Sequence, residues 1–367
     1  MKDKLLQVGI NTYKWASLHH TFLPRIIEVE TTKACNLRCP GCRRNYKEGG
    51  IASEPGATHL TVDAIRKAVE AVPCKIVSFE GDGEPLCNPH LRDIVSFLHK
   101  SGIRCSMTSN GTLLDEDWIK FLEKNGMFRI HVSFDGATKE TYEKMRVGGT
   151  FEDTLHNCKL IGNSKIQLFM SIVLFTDELI KELPKYIEQA KDVKATGIHF
   201  MKVQADSPDF IMPDYSKHQD LIRSFKEMGK KAGLIMVGSS TDKPTFRRCY
   251  YPFFFPFILL NNDVYACNYM ANLRRTEVYM NEVFKVPYQE YRMGNLNNNT
   301  LREIWNNELY KELRQALRVK PNRAMESDDF LLFMKRKLSR GEIPPEFKDL
   351  RFSFCVGCLC QWGESGL

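Results

Sequence analysis

The sequence lacks several features that would assign it to other classes of protein. Residues 1–6 show no apolar segment followed by small residues, which a secretory signal would require. The longest strongly apolar run, 250–260, contains two prolines and is too short to span a bilayer. No arginine-rich tract is present, and the formal net charge is only +7. We therefore expect a cytoplasmic protein that binds neither membranes nor nucleic acid.

Without an export signal, the 12 cysteines argue against a disulfide framework. They favour metal or thiol chemistry in a reducing compartment. The composition, with 43% hydrophobic and 26% charged residues, is that of an ordinary globular protein. A length of 367 residues favours one large domain accompanied by a smaller one.

Cys35, Cys39 and Cys42 form a C-x3-C-x2-C motif directly after the strand-like run 26–30. Three thiolates on one loop can hold three corners of a cubane iron–sulfur cluster and leave one iron open to another ligand. An open iron suits a cluster used for chemistry rather than one that only carries electrons. Zinc is the alternative, but it usually takes four protein ligands, and no fourth Cys or His lies near this loop.

From residue 26, strand-like and helix-like segments alternate along the chain, which predicts a parallel β/α architecture. In β/α barrels the chemistry lies on loops at the C-terminal ends of the strands, where the cysteine motif falls. The predicted strands are 26–30, 75–79, 104–108, 128–134, 166–174 and 197–203. The predicted helices are 61–72, 89–100, 115–125, two pieces within 139–160, then 178–192 and 216–232.

Three further turns follow the second, third and fourth predicted strands. They read Glu-Gly-Asp-Gly-Glu-Pro at 80–85, Thr-Ser-Asn-Gly-Thr at 108–112 and Ser-Phe-Asp-Gly at 133–136. Glycines in such a turn let a ligand approach the backbone closely, and a neighbouring carboxylate can accept hydrogen bonds from an ammonium group. Each of these turns is common by itself. The combination is specific, because the turns occur in this order and each follows a predicted strand.

Together these motifs resemble those of the radical S-adenosylmethionine (SAM) family. The resemblance implies a six-stranded partial TIM barrel, (β/α)6, in which Cys35, Cys39 and Cys42 hold a [4Fe-4S] cluster that cleaves SAM to a 5′-deoxyadenosyl radical. The turn at 80–85 is similar to the GGEP motif, although Asp82 replaces its second glycine, offset by one. The resemblance implies that SAM is bound by Gly83, Glu84, Ser109, Asn110, Ser133 and Asp135, with Arg146 and Ser171 as weaker candidates.

A second group of cysteines lies near the C-terminus. Cys249 and Cys267 bracket a predicted hairpin, 253–260 and 263–267, turned at 261–263. A C-x2-C pair, Cys355 and Cys358, is followed by Cys360. Four of these thiolates can bind one iron–sulfur cluster or one zinc ion, and spacing alone does not separate the two.

The segment 294–305 is similar to the connecting segment of SPASM and twitch extensions, which bind auxiliary iron–sulfur clusters, although Asn262 replaces the usual hairpin glycine. This resemblance favours a second [4Fe-4S] cluster held by Cys249, Cys267, Cys355 and Cys358 on a hairpin-plus-helix extension. Five cysteines fit the shorter twitch type, and Cys360 is an alternative ligand, a hydrogen donor or a bystander. The expected division is a lead-in at 1–24, the barrel at 25–238 and the extension at 239–367.

An auxiliary cluster near the substrate would accept an electron after hydrogen abstraction, so we expect a two-electron oxidation of a small molecule such as a sugar or aminocyclitol. A flavodoxin or ferredoxin is the expected electron donor. The alternatives are a peptide maturase, an epimerase with Cys87 or Cys360 as hydrogen donor, and a non-catalytic metal-binding protein. Only some twenty-four residues precede the first strand, shorter than the usual peptide-recognition domain. The sequence does not identify the substrate.

Overall fold

The structure is a computed structural model of the chain. It describes residues 22–42, 44, 58–202, 213–238, 251–272, 276–279, 282–285 and 292–318. Within these ranges the strands are β1 Ile26–Glu30, β2 Ile76–Glu80, β3 Arg104–Ser109, β4 Met127–Ser133, β5 Gln167–Leu174, β6 Gly197–Lys202, β7 Ile235–Val237, β8 Phe257–Ile258, β9 Asp263–Tyr265, β10 Thr276–Tyr279, β11 Glu282–Lys285 and β12 Gly294–Asn295.

The helices of the described ranges alternate with the first seven strands and then recur in the C-terminal part. They are α1 Val62–Glu70, α2 Leu91–Lys100, α3 Glu116–Lys124, α4 Lys139–Met145, α5 Phe151–Gly162, α6 Asp177–Lys181, α7 Leu183–Asp192, α8 Gln219–Lys231, α9 Tyr251–Phe254, α10 Asn268–Asn272, α11 Leu301–Trp305 and α12 Glu308–Arg318. Short 3-10 turns are formed by Pro85–Cys87 and Tyr215–His218.

Ten of the strands form one sheet in the order β12-β9-β8-β1-β2-β3-β4-β5-β6-β7. Neighbouring strands from β1 to β7 run parallel, and β8 also pairs in parallel with β1. The hairpin strand β9 and then β12 continue the other edge in antiparallel pairing. The sheet curves without closing, which confirms the predicted partial TIM barrel.

Side-chain caps at helix N-termini explain where several helices begin. Thr61 Oγ1 accepts a hydrogen bond from Ala64 N at 3.3 Å, and Asp115 Oδ1 accepts one from Trp118 N at 2.8 Å. Each cap satisfies a backbone donor that has no partner within its helix. Helix α1 then buries Ile65, Ala68 and Val69 on one face, so it packs against the sheet along a single stripe.

The main hydrophobic core lies between the helices and one face of the strands. Along β1 to β6, apolar residues at alternate positions are almost completely buried there, as alternation along a strand predicts. These residues are Ile27, Val29, Val77, Phe79, Cys105, Met107, Ile130, Val132, Leu168, Met170, Ile172, Leu174, Ile198 and Phe200. We call this the outer face of the barrel strands and the opposite side their inner face.

Three elements differ from the sequence prediction. A further strand, β7, pairs with β6 where the sequence predicted only a boundary, because three residues are too few for a periodic signal. The predicted helix 178–192 is two helices, α6 and α7, which meet at Glu182 just before Pro184. The predicted strand 253–260 is instead helix α9 followed by the two-residue strand β8, with Pro256 between them.

The C-terminal part packs directly onto the barrel. Asn262 turns the β8–β9 hairpin with a φ of +68°, a left-handed conformation that asparagine tolerates. Thr300 and Glu303 form a capping box that starts α11, and Trp305 Nε1 at its end donates to Phe22 O at 2.8 Å. This bond joins the extension to the segment that precedes β1.

Candidate functional site

The cysteine loop follows β1 at the edge where the C-terminal ends of the parallel strands meet. Cys35, Cys39 and Cys42 are free thiols, each partly exposed. A backbone hydrogen bond of 3.1 Å from Cys42 N to Cys39 O closes the turn between the last two. The loop therefore carries the three thiols together at the end of the barrel where β/α enzymes hold their reactive groups.

Polar groups of the cysteine loop and of neighbouring segments point at these sulfur atoms. Leu37 N lies 3.4 Å from Cys35 Sγ, and Asn110 Nδ2 lies 3.9 Å from the same atom. Arg146 Nη1 lies 3.9 Å from Cys39 Sγ. Donors and a guanidinium beside thiols favour the thiolate form, which is the form that binds iron. The donor set therefore fits an anionic thiolate cluster.

Burial acts in the opposite direction on the free thiols. It raises the pKa of Cys35 and of Cys42, although backbone N–H donors partly offset this effect. Without a metal these two side chains therefore favour the protonated form. Cluster binding at this loop must displace protons, as it does at other thiolate sites.

Glu84 is the buried hub of the loops around the cysteines. Its backbone N donates to Ala34 O at 2.8 Å, and its side chain is 2% exposed. The carboxylate accepts from Ser109 Oγ at 2.8 Å, from Asn110 N at 2.7 Å and from Leu86 N at 3.3 Å. Burial raises the pKa of Glu84, and these donors lower it. Glu84 thus joins the turns after β2 and β3 to the cysteine loop.

The neighbouring Gly83 has no space for a side chain. A Cβ atom there would lie 2.1 Å from Thr32 O and 2.7 Å from Ala34 O. Both are backbone atoms of the segment that leads into the cysteine loop, so they cannot move aside easily. Glycine at this position is explained by the close approach of two loops.

Asp135 and Arg146 form a buried ion pair next to the cysteines. Asp135 Oδ1 accepts from Val173 N at 2.7 Å, and Oδ2 pairs with Arg146 Nη2. Burial lowers the pKa of the Arg146 guanidinium, but Asp135 and Cys39 outweigh this effect and raise it overall. The pair therefore fixes a permanent positive charge near Cys39, and both Asp135 oxygens are engaged by protein donors.

Ser133 and Ser171 lie side by side at neighbouring positions of β4 and β5. Phe134 N donates to Ser171 O at 2.7 Å, and Ser171 Oγ lies 3.4 Å from His131 Nδ1. The Ser171 side chain thus points to the inner face. The predicted SAM-binding residues fall into a group joined through Glu84 (Gly83, Glu84, Ser109 and Asn110), a group joined through Asp135 (Asp135 and Arg146), and this serine pair.

Cys87 ends the 3-10 turn that begins after Glu84. It is half-buried, and its backbone N donates to Glu84 O at 2.9 Å. Burial raises the pKa of the Cys87 thiol, nearby Glu84 and Cys35 raise it further, and the backbone N–H of Asn36 lowers it. Cys87 therefore lies beside the cysteine loop.

Of the predicted auxiliary ligands, Cys267 lies within the described residues. It follows β9, is 9% exposed, and its Sγ accepts from Met270 N at 3.2 Å. The other members of that group lie outside the described residues: Cys249, Cys355, Cys358 and Cys360. Cys74, Cys105 and Cys158 are buried thiols.

Sequence reasoning missed the polar side chains on the inner face of the strands. Glu28, Glu80, His131 and His199 all lie there, at alternate positions to the apolar residues of the outer face. The signal was present in runs such as Ile-Val-Ser-Phe-Glu at 76–80 and Arg-Ile-His-Val-Ser at 129–133. A strand buried on both sides by apolar packing would read as continuously hydrophobic.

Comparison with known proteins agrees with these observations. The model of the radical SAM superfamily matches residues 29–190, and that of the SPASM iron–sulfur cluster-binding domain matches residues 249–327. The AdoMet-dependent heme synthase of Methanosarcina barkeri is 28% identical over 330 residues, which cover 82% of this chain and 87% of that protein. The second match ends before Cys355 and Cys358.

Two further similarities concern a second relative and a solved structure. A tungsten-containing aldehyde ferredoxin oxidoreductase cofactor-modifying protein of Pyrococcus furiosus is 26% identical over 79% of this chain and 83% of its own length. SuiB of Streptococcus suis, bound to its precursor peptide SuiA, aligns with a TM-score of 0.60 and 12% identity. That alignment covers 85% of this chain and 72% of SuiB and shows the fold alone.

None of the described helices combines the length and the apolar character that crossing a bilayer would require.

Proposed function

Because the chain belongs to the radical SAM superfamily and carries a SPASM iron–sulfur cluster-binding domain, we propose that it oxidises a small polar molecule by two electrons. Proteins of this kind use a [4Fe-4S] cluster with SAM, and their SPASM domain binds auxiliary iron–sulfur clusters. Bound at the barrel mouth, the reduced cluster and SAM supply a radical that abstracts hydrogen. The residues of the chain bind, orient and shield these groups.

In this proposal Cys35, Cys39 and Cys42 hold the cluster that reduces SAM. Asn110 and Arg146 then stabilise its negative charge through the donors that lie 3.9 Å from the cysteine sulfur atoms. Glu84 accepts three hydrogen bonds from the protein, and a carboxylate has room for about four. The remaining position is the one we assign to the amino group of SAM.

The observation that supports oxidation is the pairing of β8 with β1. The hairpin that ends at Cys267 is hydrogen-bonded, through β8, to the strand that leads into the cysteine loop. Leu260 N at its turn also donates to Glu30 Oε2 at 3.1 Å. We assign Cys267, with Cys249, Cys355 and Cys358, to an auxiliary cluster that accepts the second electron. The division between barrel and extension at residue 238 also stays a prediction.

Peptide modification is the second candidate, favoured by the overall likeness to SuiB with its bound peptide. That likeness carries the fold alone, whereas the heme synthase relative covers 82% of this chain and is named for a small molecule. The third candidate function is epimerisation, with Cys87 or Cys360 as the hydrogen donor. We therefore place a small-molecule substrate first.

Iron content together with SAM cleavage tests the assignment of the two clusters. After anaerobic reconstitution the wild type should bind about eight irons, as two cubanes require. The triple variant Cys35→Ala/Cys39→Ala/Cys42→Ala should bind about four and form no 5′-deoxyadenosine. Cys267→Ala should also fall to about four but still form 5′-deoxyadenosine with dithionite.

The matched control is Cys158→Ala, which removes a buried thiol on helix α5 and should keep the full iron content. If Cys267→Ala retains all of its iron, Cys267 is not a ligand. If the wild type holds zinc in place of the second cluster, the electron acceptor is lost and the oxidation proposal fails with it.

A further inference from the structure

The inner face of the barrel strands is unusually polar. The interior of a β/α barrel is ordinarily filled by branched apolar side chains. In this chain a continuous band of hydroxyl, carboxyl and imidazole groups runs from β1 to β6, at positions that alternate with the buried apolar residues. Its members, which we call the inner band, are Glu28, Ser78, Glu80, Ser106, Thr108, His131, Ser171 and His199.

On β2 and β3 the inner band is a hydrogen-bonded chain that ends at the carboxyl group of Glu80, and Glu28 on β1 lies beside it. Ser106 Oγ donates to Ser78 Oγ at 2.9 Å, and Ser78 Oγ donates to Glu80 Oε1 at 2.9 Å. Thr108 donates a further hydrogen bond to Glu80. Glu28 lies close enough to interact electrostatically with Glu80, yet its Oε2 atom is buried and accepts no hydrogen bond from any described residue.

On β4 to β6 the band consists of uncharged imidazoles and a hydroxyl. The rings of His131 and His199 lie 5.8 Å apart between centroids, nearly perpendicular to each other. Burial lowers the pKa of His131 to about 3 and that of His199 to about 4, so both are neutral at physiological pH. They therefore offer hydrogen-bonding nitrogens to a ligand without adding positive charge.

No described side chain of the inner band supplies a cation to balance the two carboxyl groups. Arg129, which lies on the same face of β4 nearer its N-terminal end, is held by Gln167 Oε1 at 3.1 and 2.9 Å. Burial raises the pKa of Glu28 and of Glu80, and Glu80 raises that of Glu28 further. A positively charged ligand would let both carboxyl groups ionise and would satisfy the unpartnered oxygen of Glu28.

We propose that the inner band binds a small aliphatic amine that carries hydroxyl groups, with its ammonium between Glu28 and Glu80. Its hydroxyl groups are then bound by Thr108, Ser171 and the two imidazoles. The band lies below the cysteine loop, so such a ligand is positioned under the end of the barrel that carries the thiols. This inference rests on the proposed function and names the class of its substrate. Anionic ligands are disfavoured, because they would meet two carboxyl groups.

Three probes that share a six-carbon polyol chain test the charge preference. They are glucamine, with a terminal ammonium, sorbitol, with a hydroxyl, and gluconate, with a carboxylate. Titration calorimetry on the reconstituted holoenzyme with SAM should rank their affinities in that order, with glucamine at least about tenfold tighter than sorbitol. Glucamine binding should also lower the pKa of both carboxyl groups, so a pH titration of the binding should show protons released to the buffer between the pKa of the free state and that of the bound state.

The variants Glu28→Gln and Glu80→Gln should each lose the preference for glucamine over sorbitol, and the proton release with it. The matched control is Glu70→Gln on the exposed end of α1, which should behave as the wild type. Equal or tighter binding of gluconate, absence of glucamine binding, or unchanged glucamine preference in both variants would each overturn the inference.

Failure of this inference is separable from failure of the proposed function. Iron content and 5′-deoxyadenosine formation are measured on the same samples. If both are normal and glucamine does not bind, the inner-band inference is wrong and the cluster assignment stands. If the iron content or SAM cleavage is missing from the wild type, the proposed function itself fails.

Discussion

The two faces of the barrel strands are built from the same segments of chain and serve opposite purposes. On β2, Phe79 points to the outer face and is 0% exposed within the hydrophobic core, whereas its neighbour Glu80 points to the inner face and accepts hydrogen bonds. On β3, Cys105 and Ser106 show the same contrast. The outer face buries apolar side chains in the core, whereas the inner face carries polar groups in place of apolar ones.

This contrast shows where the stability of the fold arises and where its chemistry lies. Burying an apolar side chain contributes about 1.5–3 kcal/mol, whereas an internal hydrogen bond contributes about 1 kcal/mol net. A band of carboxyl and imidazole groups therefore adds little to stability. Substitutions on the two faces should separate cleanly into those that unfold the protein and those that alter ligand binding.

The largest expected difference is between adjacent residues of β2. Phe79→Ala should lower the free energy of unfolding by about 3–5 kcal/mol, because it leaves a cavity in the core. Glu80→Gln should leave it unchanged or raise it at neutral pH. Burial raises the pKa of Glu80, so the folded state holds the Glu80 proton more tightly than the unfolded state does. The stability of the protein therefore falls as the pH rises from the pKa of the unfolded state to that of the folded state. Urea unfolding at pH 7.5 compares the two, and a similar loss in both variants would contradict the separation of faces.

A smaller contrast is expected on β3. Cys105→Ser places a hydroxyl among apolar neighbours and should cost about 1–3 kcal/mol. Ser106→Ala removes one hydrogen bond to Ser78 and should cost about 0.5–1.5 kcal/mol. Unfolding curves recorded under reducing conditions give both values. A larger loss of unfolding free energy in Ser106→Ala than in Cys105→Ser would contradict the contrast between the two faces.

The effect that is smallest at neutral pH is that of the two inner-face histidines, because their shifted pKa values alter stability only as the pH falls. The pKa of His131 is about 3 and that of His199 about 4 in the folded protein, against an ordinary value of 6.5, and burial is the main cause of both shifts. As pH falls below about 6.5 the unfolded chain binds protons first, so stability falls by up to about 1.4 kcal/mol per pH unit for each histidine. This loss continues until the pH reaches the pKa of the folded state.

The double variant His131→Asn/His199→Asn should show a shallower slope than the wild type between pH 6.5 and about pH 5, where both imidazoles are neutral in the folded protein. Denaturant unfolding at half-unit steps of pH measures it. Identical slopes in the two proteins would mean that the imidazoles are not held neutral by the barrel.

Much of the barrel could be predicted from the sequence, because its elements have local signals. The predicted strand 26–30 is β1 to the residue, and Thr61 and Asp115 start their helices as side-chain caps. The failures occurred where local signals are weak. Strand β7 has three residues, and the pairing of β8 with β1 joins segments more than two hundred residues apart. Such long-range pairing leaves no periodic pattern in either segment.

The candidate site likewise has a part that could be predicted from local sequence and a part that could not. The cysteine loop and the turn around Glu84 were recognised because their residues are close in sequence and have fixed spacing. The contacts of Glu84 with Ser109 and Asn110, and the pairing of Asp135 with Arg146, join separate loops and required the fold. The inner band escaped notice because each of its members looks like an isolated polar residue in a buried strand.

The sequence by itself determined the kind of chemistry: three cysteines at fixed spacing after the first strand, then glycine and carboxylate turns after the strands that follow. This spacing can be read from the sequence because the three cysteines lie within one loop of eight residues. Only the tertiary structure decided which polar side chains lie on one face of the sheet. Side chains alternate across a strand, so a carboxyl group on β1 and an imidazole on β6 meet on one face only when the sheet curves into a barrel.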